Sequence, residues 1–248
     1  MGKSSKTSER RARIEQLERE RKAAERRRMF LFSGVIGLVA LVIIGLTGWS
    51  LWSEHEKQTA IDSTALADFG VSRAAAGCTP VQTSPATGGA DHIAAPQPIH
   101  YKQAPPESGP HRPTWAPFDR KFYTPQDRPE VEMLVHNLEH GYNILWYDQT
   151  VANDPQKLKQ IEDLAGKFEG SERDPANAFI AAPWMPSDGP SMPAGKHIAM
   201  THWYADPGTG ANEKGITQYC SQMSGSVVEQ FMTQWTQAEA REGGPQFL

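Results

Sequence analysis

A chain of 248 residues carries a net charge of −4, and the charge is unevenly spread: residues 1 to 28 hold 11 Lys or Arg against five Glu, so the remainder carries −10. An acidic remainder argues against nucleic acid as a partner, because phosphate binding needs clustered basic side chains. Two cysteines, Cys78 and Cys220, lack the close spacing that gives two thiolates one metal ion.

The basic arm, 1–28, is rich in Arg, Glu and Lys, with Ile14 and Leu17 as its large aliphatics. It predicts a solvated helix lying along anionic lipid, or serving only as a topology signal. Gly2 does not open a myristoylation motif, since position 6 is Lys. Residues 29–52 then run without an ionisable side chain, with Trp49 and Trp52 at one end. At 1.5 Å per residue that length covers a bilayer core of roughly 30 Å. A core helix would keep a polar face, and a cleaved signal would offer a small-x-small site, which Ser50-Leu51-Trp52 does not. The charge asymmetry places the N-terminus in the cytoplasm and 53–248 outside it.

Residues 53–76 read as a polar, Ala-rich linker, and 77–248 as one extracytoplasmic domain. There the two cysteines predict a disulfide closing 142 residues. The stretch to about Arg128 is irregular and rich in Pro and Gly. Beyond it, Pro129 opens a short helix whose apolar face is Val131, Leu134, Val135 and Leu138, stopped by Gly141. Residues 142–147 read as a strand, Asp154-Pro155 caps a helix, and 177–182 and 197–204 read as strands. Ser226 and Glu229 form a capping box for a last helix that Gly243 and Pro245 stop. The order α-β-α-β-β-α predicts an α+β class: a single-pass N-terminal transmembrane helix, then a small mixed sheet with packed helices.

The chemistry concentrates in His136-Asn137-Leu138-Glu139-His140. On a helix, i and i+4 put both imidazoles on one face, as two ligands of one ion require; the competing reading is a polar helix end. The string also fits the H-x-x-E-H pattern of inverted zinc peptidases, but nothing else in the chain fits their architecture. His111, presented by the stiff Pro105-Pro106 loop, is the candidate third ligand. Met200 and His202 share a strand face and would suit Cu(I), against the ordinary reading of core filling.

Cys78, His92, Tyr101, the Pro105–His111 run with Ser108, Trp115 and the His136–Gly141 run together resemble the bacterial family known as domain of unknown function 3105, found in envelope proteins with a single N-terminal anchor. The resemblance implies that His111, His136, Glu139 and His140 belong to the family's own pattern. Three functions follow as expectations. The first is an envelope protein holding copper or zinc through His111, His136 and His140, with Glu139 as ligand or as acceptor for an imidazole N–H. The second is an interaction module docking on a membrane or envelope protein through Trp115, Trp146, Trp184 and Trp203. The third is a zinc-dependent hydrolase, weakened because Glu139 points about 100° away from His140.

Overall fold

The computed structural model describes residues 3–89, 91–170 and 173–244, with side chains from residue 13 onward. Gly2 and Pro245 lie outside the described residues. The chain divides into two units, 1–57 and 58–248.

The first unit is one helix, the larger part of α1 (Lys3–Ser63). Its large apolar side chains from Met29 to Trp52 are all exposed, and it is long and apolar enough to cross a membrane.

The second unit takes in residues 58–76 of the stretch read as a linker. α1 continues to Ser63, and its last turns pack on the domain. Gln58 Nε2 donates to the Gly166 carbonyl at 3.2 Å, and Leu66, Phe69 and Val71 join the core around Phe231. Apolar residues at these positions leave no free tether. Cys78 and Cys220 bring their sulfurs to 2.01 Å, a disulfide distance.

The domain is mixed α+β. A five-stranded sheet runs β1 (Gln82–Pro85), β5 (Lys214–Cys220), β4 (Ile198–Tyr204), β2 (Asn143–Tyr147), β3 (Phe179–Pro183). Only β2 and β3 are parallel, joined through α3 (Gln149–Ala152) and α4 (Pro155–Gly166). Side chains alternate across the sheet with period two. Ile144, Trp146, Ala199 and Trp203 face α2 (Val131–Glu139) and the packed part of the irregular stretch. Leu145, Tyr147, Ile198 and Met200 face α4 and α5 (Gly225–Gln234). Met200 is therefore core filling. Trp146, Trp184 and Trp203 are buried too, which leaves Trp115, 41 % exposed, as the accessible one of the four proposed anchors.

Two strands escape the sequence pattern. β1 is four residues long at the sheet edge, and β5 carries Gly215, which blanks its alternation. The last helix also differs. It opens at Gly225 with Ser224 as N-cap and no side-chain capping bond, so Ser226 is not the cap. A Cβ at Gly225 would sit 1.8 Å from the Leu66 carbonyl oxygen, so a backbone approach fixes this helix start. It ends at Gln234, well before Gly243.

Candidate metal centre

α2 forms because Val131, Leu134, Val135 and Leu138 bury one stripe against the sheet. Gly141 follows at φ 82°, where a Cβ would meet the Gln237 carbonyl oxygen at 2.2 Å. That stop leaves His140 as the C-cap and its carbonyl bonded by Gln237 Nε2 at 2.8 Å. His136 and Glu139, three apart, share a face.

The irregular stretch folds over that face and is held there by side chains. Asn137 clamps the backbone of Ala116 in both directions at 2.9 Å. Arg112 donates to Glu130 at 2.6 Å and to the carbonyls of Ile93 and Gln97, tying two loop segments to the helix start. Tyr101 donates to the Pro110 carbonyl at 2.7 Å, and Ser108 Oγ accepts from the Thr87 amide at 3.1 Å. Tyr101 and Ser108 thus shape the loop that presents His111; neither belongs to the cluster itself. His92 pairs with His111 as a parallel bridge, so one backbone contact places two imidazoles side by side.

The result is a group of four, His92, His111, His136 and Glu139, whose candidate ligand atoms all lie within 4.8 Å of one another. The structure brings together His111, His136 and Glu139 as read from sequence. It adds His92, whose signal was its place in the family pattern. It leaves out His140, whose Nε2 lies 3.1 Å from His136 Nε2 and 3.2 Å from a Glu242 carboxylate oxygen.

Protons decide what this group can do. His111 Nδ1 faces the Gly109 carbonyl at 2.8 Å and His136 Nδ1 faces the Arg112 carbonyl at 2.6 Å. A carbonyl only accepts, so each Nδ1 carries a proton and each neutral ring keeps its lone pair on Nε2. Burial holds the His136 pKa down to about 4, so that ring is neutral near pH 7. His111 Nε2 lies 2.9 Å from a Glu139 carboxylate oxygen. The contact is not aligned as a hydrogen bond, and His111 Nε2 and both Glu139 oxygens are buried without a hydrogen-bond partner. Burial alone would raise the Glu139 pKa, but His111, with His136 and His92 behind it, outweighs burial and brings it below the ordinary range. Arg241 Nε adds a cation 3.6 Å from the other oxygen. A buried carboxylate therefore sits beside His111 Nε2 with the candidate ligand atoms of His92 and His136 within 4.8 Å, a set that could hold a metal ion.

Access is one-sided. His111, His136 and Glu139 are buried, whereas the His92 side chain is 39 % exposed. Trp115 covers the other side, its ring 5.0 Å from His136 and 4.6 Å from His140.

No curated protein and no solved structure matches the chain. The model of a family described as protein of unknown function (DUF3105) matches residues 92–246, a span that opens on His92 and holds the whole cluster, and the chain belongs to that family.

Proposed function

We propose that the protein is a membrane-anchored envelope protein whose extracytoplasmic domain holds one divalent transition-metal ion through His92, His111, His136 and Glu139. The observation that carries the reading is the gathering of three imidazoles and a buried carboxylate with their ligand atoms within 4.8 Å, the Nδ1 atoms of His111 and His136 being turned to backbone carbonyls. Imidazole N–H to backbone carbonyl is the usual support of a ligating histidine. Three nitrogens and one oxygen form a closed set that suits zinc, with Cu(II) next. The thioether argument for copper loses its residue, because Met200 packs in the core. Glu139 inside the ligand group also removes the general base that the hydrolase reading needed.

The location rests on the apolar run 29–52 and the +6 arm before it, which orient the N-terminus to the cytoplasm and the domain away from it. The disulfide pair fits an oxidising compartment. A lipid bilayer is then the first partner, and Trp115 is a point where an envelope protein would touch the covered side of the site.

The test is metal analysis of the full chain in detergent, stripped with chelator and reloaded with zinc or copper. Wild type should retain about one equivalent, and His111→Ala and His136→Ala should retain none. Near-zero metal in all three after loading would reject the reading.

A further inference from the structure

A second cleft lies away from the histidines, on the sheet face at β1 and β5. Gln82 pairs with Thr217 and Ser84 with Gly215, so all four share one face with Tyr219. The loop 102–107 and residues 190–193 form the walls, enclosing about 400 Å³. Few of its polar groups are spent on the protein. Gln82, Gln103 and Thr217 make no side-chain hydrogen bond among the described residues, although Thr217 is only 5 % exposed. At its floor lies the Glu107 side chain, also 5 % exposed, which accepts from Ser84 Oγ at 2.5 Å. Gly215 makes room for it: a Cβ there would lie 1.9 Å from Glu107 Cγ. Burial raises the Glu107 pKa and pushes Tyr219 up to about 12.

The lining selects by chemistry. An anion would meet the Glu107 carboxyl with only Lys102 to attract it, and a cation would meet Lys102. An apolar ligand would strand the free amides and hydroxyl. A neutral ligand with many hydroxyls both donates and accepts, matching Gln82, Gln103 and Thr217, while the Tyr219 ring offers an apolar patch. We infer that this cleft binds a neutral saccharide chain, independently of the histidine cluster.

The test is saturation-transfer NMR on the full chain in a detergent without a sugar headgroup. The probes are maltotriose, cellotriose and chitotriose, with glucose 6-phosphate and trialanine as comparators. At least one trisaccharide should show transfer, weakened tenfold or more in the doubly substituted Gln103→Ala, Thr217→Val chain and unchanged in Gln160→Ala, an exposed position on α4. Gln82→Ala, on the exposed edge strand, should weaken it as well, which guards against misfolding of the double variant. No transfer to any trisaccharide, stronger transfer to either comparator, or binding indifferent to both cleft variants would overturn the inference.

Discussion

Two buried histidine environments sit within one domain and differ in a single respect. His202, fully buried, has a carbonyl at each nitrogen: Tyr142 at 3.3 Å from Nδ1 and Glu239 at 3.1 Å from Nε2. His111 and His136 are nearly as buried, yet each gives one nitrogen to a carbonyl; His111 turns the other toward Glu139 and His136 turns it toward His140. Burial does not separate a structural histidine from a ligand. What separates them is what faces the second nitrogen: a second backbone carbonyl at His202, and the Glu139 carboxylate or the His140 ring in the cluster.

The largest expected effect tests that distinction directly. Zinc at about a thousandfold over its dissociation constant should stabilise the folded chain by about 4 kcal/mol, because it binds the native site alone. For a domain of this size that is roughly 10 °C in melting midpoint. His202→Gln should lower the midpoint with and without zinc but keep the zinc-dependent rise. His136→Ala should lose the rise. Calorimetry of wild type and both variants, with and without zinc, reads this out; loss of the rise in His202→Gln would collapse the contrast.

Acid provides the next measure. Burial holds the His202 pKa down to about 4, against 6.5 for an unperturbed imidazole. The unfolded chain therefore takes up a proton between those values that the folded chain refuses, so this contribution is complete above pH 6.5 and falls away toward pH 4. The upper bound is about 3 kcal/mol. In His202→Gln that component disappears, so the stability gap between wild type and variant should narrow as pH drops through the window. Denaturant titrations at pH 7, 5.5 and 4.5 giving parallel curves would show that His202 carries no such linkage.

Much of this was legible in the sequence, and the gaps have physical causes. The mixed α+β class, α2 with its Gly141 stop, and the joining of Cys78 to Cys220 follow from periodicity, a C′ glycine and cysteine count. The i, i+4 argument put His136 and His140 on one face, and their Nε2 atoms are indeed neighbours at 3.1 Å. Which of them points to Glu139 was not legible, because it depends on a loop that closes over the helix. That loop is fixed by Arg112, Asn137 and Tyr101 reaching backbone carbonyls, contacts with no periodic trace. His92 reaches the cluster through a bridge between segments nineteen positions apart, again without pattern. Along 53–76 the packing of Leu66, Phe69 and Val71 on the core follows the end of α1 at Ser63 and a short 3-10 turn, with no single period to show it in the sequence.

The smallest expected effect concerns His140, which the sequence offered as a ligand. Its Nε2 stands between His136 Nε2 and Glu242 Oε2, at 3.1 and 3.2 Å, and its ring packs against Trp115. With a metal on the His136 lone pair, the His140 N–H still has Glu242 as an acceptor, and the ring then braces His136 from behind. Removing such an outer support typically weakens metal affinity ten- to a hundredfold. His140→Ala should fall near the tenfold end, since the Arg112 carbonyl still fixes the His136 ring. Competition against a chromophoric zinc chelator measures it on the full chain. Complete loss, equal to that of His136→Ala, would make His140 a ligand after all and displace His92 from the set. An affinity identical to wild type would strip His140 of any role in holding the site.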